Sequence, residues 1–354
     1  MRQSASIAGA MVGAKPTIRD VARLAGVSAA TVSAVINGTA VVSSVRSERV
    51  RDAMRILDYH PDQVARSLRV GKTLVIGMVI PDIRNPFYPE VVRGVEEVAQ
   101  ECGYSVLLCN TSEEPAMEDR HLSNLFSKRA DGVLLACSDA SSAYESLVRG
   151  RFPIVFVDRI PREFACASVS TDNADACRTA VRHLIDLGHK RIAIVTGSVR
   201  LSTHADRLEG FQMAMQEVNL PIRSEYVCRG GLDVESGGKL GRQLLRLPAP
   251  PTAVICTNNR MLLGVMKAIS EENLRCPEQV SVVGFDDFVW TEYFTPPLTV
   301  IAQPAVDIGR RATEMLIRRM SAEAPLPPEQ LFLKAELRIR KSTGPASRGI
   351  DDSF

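Results

Sequence analysis

Nowhere in the 354 residues do two cysteines form a CxxC pair or stand beside a histidine at metal-ligand spacing, although the chain holds eight of them (102, 109, 137, 166, 177, 228, 256 and 276). That scatter argues against a zinc site or a disulfide framework; reduced thiols of a cytoplasmic protein are expected, and no metal is assigned. Apolar runs stop short of the length that spans a membrane. Nucleotide and hydrolase signatures are missing as well. No GxGxxG follows a strand, and neither a GxxxxGK[ST] loop nor a GxSxG elbow occurs. The five histidines (60, 121, 183, 189, 204) form no catalytic group, and His189 in "LGHKR" reads as a helix-end residue. The chain is therefore read as a non-enzyme with no cofactor.

What is present is lopsided charge. Residues 1–72 hold 11 Lys and Arg against 5 Asp and Glu, and the remainder holds 32 against 36, so a head of net +6 precedes a body of net −4. A basic head on a near-neutral body is the footprint of nucleic-acid binding at one end. The length suits about two domains. The opening "MRQSASIAGAMVGAKP" has too short an apolar stretch for an export signal; it reads as a disordered leader over 1–15, or as residues ahead of a start at Met11.

Thr17-Ile18-Arg19-Asp20 approximates a capping box and starts a helix whose apolar face is Ile18, Val21, Ala22 and Leu24. Gly26 permits a sharp turn, and Ser28 caps a second helix to about Ile36, with Val27 placed to staple onto Val32. A third helix runs from Ser43 or Ser44 to about Asp58, with Val45, Val50, Met54 and Leu57 inward. This is helix-turn-helix spacing over 16–60. The second helix, in "VSAATVSAVING", has unusually small side chains. Ala29, Ala30 and Ala34 can offer methyls to thymine methyls, while Thr31, Ser33 and Asn37 can reach phosphates or bases. A helix of small residues also suits a tight core; the preceding short helix, the glycine turn and the positive charge favour DNA.

Residues 61–72 form a hinge or linker. "DQVARSLR", Asp62 to Arg69, is too short to be a stable helix alone, and Leu68 either docks on the next domain or wedges between base pairs in a minor groove. From Thr73 the chain alternates β-rich runs ("TLVIGMVI", "YSVLLCN", "DGVLLAC", "FPIVFVD") with amphipathic helices, and a second such set follows from Lys190. Two α/β units imply two lobes around a cleft. Their strand ends carry Asn85, Phe87 and Tyr88; Asp158-Arg159; Asn258-Asn259; and Asp286-Asp287, with Arg207 in "ADRLEGF". Carboxylates, amides, guanidiniums and aromatic faces gathered at strand ends suit a polyhydroxylated ligand.

"PTIRDVARLAGVSAATVSAVING", "YHPDQVARSL", "HLIDLGHKRIA", "DRLEGF" and "PPLTVIAQP", in this order, resemble the lactose-repressor (LacI/GalR) family of bacterial transcription regulators from about Lys15 to Arg340. The resemblance implies an α/β fold: a three-helix head plus a two-lobed, doubly wound parallel body like that of periplasmic binding proteins. It places base readers on Ala29, Ala30 and Ala34, phosphate contacts near Thr17, Ser28, Thr31, Asn37 and Ser43, and a minor-groove lever on Leu68 beside Ala65. It places effector contacts on Phe87, Tyr88, Asp158, Arg207, Asn258, Asp286 and Gln303; similarity to periplasmic ribose-type binding proteins adds Asn85 and Arg159. Leu232 stands where relatives often stack a Phe or Trp, which favours a sugar over a flat purine-like effector. Ala34 replaces a larger polar reader, and Asn259 replaces a frequent Asp, so its role, ligand contact or lobe shaping, stays open. The implied lobes are 73–171 with 297–325 and 172–296 with 326–342, followed by a disordered tail over 343–354. The expected function is a cytoplasmic, effector-responsive repressor of a sugar or related operon, a homodimer on a pseudo-palindromic operator. The tail lacks the heptads of a tetramer. The alternative is a periplasmic sugar-binding transport receptor, which would need an export signal and no head.

Overall fold

The computed structural model describes residues 16–37, 40–60, 71–138, 144 and 152–346. The chain forms two compact units, Met1–Thr73 and Leu74–Phe354. In the first, helices α1 (Ile18–Ala25), α2 (Ala29–Asn37) and α3 (Ser44–Ile56) surround Val21, Val32 and Val50, all fully buried, with Ala22, Ala25 and Ala53 filling the gaps. Two residues expected inward point out: Leu24 is 44% exposed and Val45 65%. The inward rows are 18, 21, 22, 25 and 50, 53, 54, 57, at helical spacing; Leu24 and Val45 fall off those rows. Gly26 ends α1 at φ +62, in the left-handed region that favours glycine. The assignments to Ala65 and Leu68 lie outside the described residues, as does the leader.

In the second unit, β1 (Val75–Ile80), α4 (Phe87–Glu101), β2 (Ser105–Asn110), α5 (Pro115–Ser127), β3 (Gly132–Leu135), β4 (Ile154–Val157) and β5 (Ser168–Thr171) build the first lobe. The second lobe follows with α6 (Asn173–Asp186), β6 (Ile192–Thr196), α7 (Ser202–Glu217), β7 (Val227–Arg229), α8 (Val234–Leu245), β8 (Ala253–Cys256), α9 (Asn259–Glu271), β9 (Ser281–Phe285) and α10 (Val289–Tyr293). The chain then returns through β10 (Thr299–Ala302), α11 (Ala305–Ser321), β11 (Gln330–Leu333) and β12 (Glu336–Arg338). The first sheet has strand order β11-β5-β4-β3-β1-β2 and is wholly parallel; the second, β12-β10-β9-β8-β6-β7, is parallel except for β12. Each buries an apolar core between sheet and helices. Helix α11 packs closely on α4, where a Cβ on Gly94 would lie 2.0 Å from the Val306 carbonyl oxygen.

The return segments differ from the expected division. Thr299–Ala302, expected in the first lobe, pairs with β9 of the second sheet, and Gln330–Leu333, expected in the second, pairs with β5 of the first. Edge positions beside β9 and β5 were open to either short segment, and its composition does not say which sheet it joins. The tail is ordered further than expected: the Ala346 N–H donates to the Leu187 carbonyl at 2.9 Å, and His189 bridges Thr252 Oγ1 (2.9 Å) and the Gly344 carbonyl (3.0 Å). His189 is thus a buried clamp on the tail and more than a helix-end residue. The eight cysteines are free thiols.

Candidate functional site

In the head, Asp20 reaches back to the Thr17 backbone N–H (3.0 Å) and accepts from its hydroxyl (2.6 Å), completing one side of the capping box. The Thr31 N–H donates to Ser28 Oγ at 3.1 Å, so Ser28 caps α2 as its sequence indicated. Val32, Val35, Ile36 and Ala29 turn toward the core, which leaves Ala30 fully exposed and Thr31, Ser33, Ala34 and Asn37 partly so. Asn37 Nδ2 donates to the Ser33 carbonyl (2.7 Å) and to Ser33 Oγ (3.2 Å), stiffening the end of the helix. Ser43 is exposed at the start of α3. The exposed face of α2 is therefore small and polar, and Ala29 is its most inward member. Sequence reasoning gave no role to the exposed Arg19, Arg23, Arg46 and Arg49, which supply much of the head's positive charge.

In the body, the strand-end residues converge. Phe87 and Tyr88, both buried, meet edge to face with centroids 5.2 Å apart. The Tyr88 hydroxyl donates to Asp158 Oδ2 at 3.0 Å. Asp158 Oδ1 is buried and has no hydrogen-bond partner among the described residues. Arg159 forks onto Glu113, with Nη1 and Nη2 at 2.7 and 2.8 Å from its two oxygens. From the second lobe, Arg207 gives Nε to Asn173 Oδ1 (2.7 Å) and Nη1 to the Thr257 carbonyl (2.5 Å), and its guanidinium lies 3.9 Å above the Phe285 ring. Asp286 accepts from Gln303 Nε2 and Asn259 Nδ2, both at 2.6 Å. Gln303 in turn accepts from Thr171 Oγ1 at 2.7 Å. Asp158 and Asp286 both adopt left-handed backbone, φ +64 and +72, which short polar side chains tolerate.

Two expected effector residues have other occupations. Asn258 caps α9, its Oδ1 accepting from the Arg260 and Met261 N–H groups at 2.9 and 3.1 Å. Leu232 is half-buried and packs on the second lobe's core. Asn259, left open by the sequence, joins the lobes by donating to Asn85 Oδ1 at 2.8 Å as well as to Asp286. Asn173, Thr257, Glu113 and Phe285 were missed. Asn173 follows β5, a short Ser/Thr-bearing strand that does not announce itself, and the rest hold partners in place. Further ties cross between the lobes: Arg260 Nη1 to Asp82 at 2.7 Å, Ser202 Oγ accepting from the Ile160 N–H at 2.8 Å, and the Arg162–Asp206 ion pair.

Burial dominates the electrostatics. It pushes the carboxyls of Asp158 and Asp286 above their ordinary range, opposed in both by Arg207 and, for Asp286, by the Gln303 and Asn259 bonds. Burial also lowers Arg207 despite the two aspartates, and holds His204 well below its usual value with help from Arg207 and Arg159. His204 is thus neutral, its Nδ1 3.0 Å from Thr257 Oγ1. Glu118, held by the Ser138 N–H and hydroxyl at 2.7 Å each, is pushed by burial up to about 7. Among the described residues no His, Cys, Asp and Glu cluster could hold a metal ion, and no helix is long and apolar enough to cross a membrane.

Residues 17–62 match the family of bacterial regulatory proteins of the lacI type, and residues 181–343 match the periplasmic binding protein-like domain. The HTH-type transcriptional repressor PurR of Actinobacillus pleuropneumoniae is 38% identical over 328 residues, 92% of this chain and 98% of the relative. Among solved structures, a transcriptional regulator CelR–cellobiose complex is 30% identical with a TM-score of 0.71, covering 92% of this chain and 99% of that one. The lac repressor dimer bound to operator and the anti-inducer ONPF is 28% identical with a TM-score of 0.84, covering 94% and 100%.

Proposed function

Because the chain belongs to the lacI family of bacterial regulatory proteins, we propose that it represses transcription as a homodimer on a pseudo-palindromic operator, with DNA affinity set by a sugar or related small molecule in the inter-lobe cleft. It acts in the cytoplasm, where DNA lies, and performs no catalysis. The observation that carries this reading is the pairing, in one chain, of a helix-turn-helix head whose α2 presents small polar side chains with a body whose strand ends converge buried charges on a cleft. A transport receptor has no use for the head, and the similar repressors match over 98% of their length.

Helix α2 enters a major groove, where the Ala30 and Ala34 methyls lie against thymine methyls and Ala29 backs them from the core side. Thr17, Ser28, Thr31, Asn37 and Ser43 face phosphates, with Ser33 bracing Asn37. Leu68, beside Ala65, is assigned to the central minor groove as a wedge at a flexible step. In the body, Asn85, Phe87, Tyr88, Asp158, Arg159, Arg207, Asp286 and Gln303 form the effector site, Asn258 shapes it from the α9 cap, and Leu232 closes one wall. Effector closure of the cleft shifts DNA affinity by about 1–3 kcal/mol, the usual coupling range.

Fluorescence anisotropy of the full-length protein on a labelled palindrome library, with and without pentoses, hexoses and their phosphates, tests this. Steeply salt-dependent binding that one compound shifts is expected, with Ala30→Asp losing operator affinity about tenfold or more and Leu68→Ala weakening it less. Wild-type protein that binds no DNA at low salt overturns the reading.

A further inference from the structure

Asp158 Oδ1 is the one acceptor among the effector-site carboxylates that the described residues leave unsatisfied. It is buried in a residue only 5% exposed, at the carboxyl end of β4, and the arginine acting most strongly on it is Arg207 of the other lobe. Its sister oxygen already accepts from the Tyr88 hydroxyl. A buried carboxylate oxygen without a donor is costly, so whatever fills the cleft and brings a hydrogen-bond donor to that atom gains the relief.

The charges around it limit that donor's owner. The neighbouring guanidiniums are committed: Arg159 forks onto Glu113, Arg207 is spent on Asn173, Thr257 and the Phe285 face, and Arg84 and Arg260 share Asp82. His204 is neutral through burial. Two carboxylates, Asp158 and Asp286, thus face one committed arginine. A phosphate or carboxylate group would add like charge beside them with no fork free to clamp it, whereas a hydroxyl supplies the missing donor and no charge.

We propose that the effector is an uncharged polyol that donates one hydroxyl to Asp158 Oδ1, and that the Tyr88 hydroxyl is a specificity element that withholds Oδ2 from the ligand. The proposal rests on the reading of the inter-lobe cleft as the effector site. With Oδ2 occupied, the carboxylate takes one ligand hydroxyl and cannot chelate a vicinal pair. Tyr88→Phe removes only that buried hydroxyl and frees the second acceptor.

The test is isothermal calorimetry on the full-length protein without DNA, using D-ribose, D-xylose, D-glucose, D-galactose and cellobiose, then ribose 5-phosphate, glucose 6-phosphate and adenine. For the tightest sugar, its monodeoxy analogues follow, on wild type, Tyr88→Phe and Asp158→Asn. An uncharged sugar is expected to bind at least tenfold tighter than its phosphate. Removing one particular hydroxyl should cost about tenfold to hundredfold in wild type, the range for a hydrogen bond to a charged group. Asp158→Asn should flatten that discrimination, and in Tyr88→Phe a neighbouring hydroxyl should become discriminating as well. A merely structural tyrosine would change affinity for all analogues alike. The proposal is overturned if no uncharged member binds, if a phosphorylated sugar or adenine binds as tightly, or if Tyr88→Phe leaves the deoxy pattern unchanged. Since no DNA is present, these outcomes stand apart from the operator titration, whose failure would instead sink the regulator reading.

Discussion

Counting from β2 in the first sheet and from β7 in the second, the fourth strand of each ends in a left-handed aspartate, and the two lobes treat that residue differently. In the second lobe Asp286 receives Gln303 and Asn259, and its neighbour Asp287 receives Thr291, Arg338 and Arg340. Against the cost of burial, those bonds hold Asp287 below the usual carboxylate range. In the first lobe Asp158 receives Tyr88 alone and keeps an orphan oxygen, while Glu118 is buried beside an arginine already committed to Glu113. One lobe has neutralised its buried carboxyls internally, and the other carries unrelieved burial. A ligand therefore has more to offer the first lobe, and the second serves as the prebuilt jaw it is presented against.

The largest effect expected from this contrast is in a matched pair of substitutions. Asp286→Asn replaces an acceptor of two donors with a group that accepts at one atom and donates at the other, and it strips Arg207 of a counter-charge; about 3–5 kcal/mol of unfolding free energy should be lost. Asp158→Asn removes a charge that burial already disfavours and still accepts from Tyr88, so its change should stay within about 1 kcal/mol. Urea unfolding of both variants measures the difference. Equal losses would show that the first-lobe aspartate is structurally paired and would erase the contrast.

Somewhat smaller is the pH effect of Glu118. Its folded-state pKa, pushed by burial to about 7, lies above the ordinary value of 4.5, so the native state holds a proton that the unfolded chain has released. The stability this group contributes is complete below its ordinary value and is lost as pH rises toward 7. Arg159 and the Ser138 bonds oppose the shift, and Asp119 adds to it. Glu118→Gln mimics the protonated form and should remove about 3 kcal/mol of that slope. Urea midpoints at pH 5 and pH 7.5 for wild type and variant decide it; parallel slopes would mean that Glu118 ionises freely and that the first lobe carries less unrelieved charge.

The contrast between lobes was only partly legible in the sequence. The long β-rich runs and the Asp-bearing strand ends were visible because a buried parallel strand is a continuous apolar run whose end faces the cleft. The head was legible through local chemistry: Thr17 with Asp20, the Gly26 turn and the Ser28 cap each act within four residues. What was hidden depends on partners distant in the chain. That Arg159 belongs to Glu113, that Asn258 caps α9 while Asn259 spans the cleft, and that β10 and β11 join opposite sheets are facts of tertiary placement. Short strands such as "SVST" at 168–171 carry too few side chains to reveal a sheet, and so the Asn173 that anchors Arg207 passed unseen.

The smallest expected effect concerns the ties between the lobes. Arg260 reaches from α9 to Asp82, whose carboxylate also receives the backbone N–H, Nε and Nη2 of Arg84. Removing Arg260 therefore leaves Asp82 still satisfied within the first lobe and costs mainly the cross-lobe attraction, about 1 kcal/mol for a half-exposed pair. That corresponds to roughly a fivefold shift from closed toward open lobes. The Arg162–Asp206 pair is more exposed, with side chains 54% and 29% accessible against 23% and 8% for Arg260 and Asp82, so solvent screens it more strongly. Arg260→Ala should then accelerate amide exchange at Asn85 to Tyr88 more than Arg162→Ala does, with the unfolding midpoint nearly unchanged in both. The reverse order would place control of closure at Arg162, and the first lobe's side of the cleft would then open from β4 and not from β1.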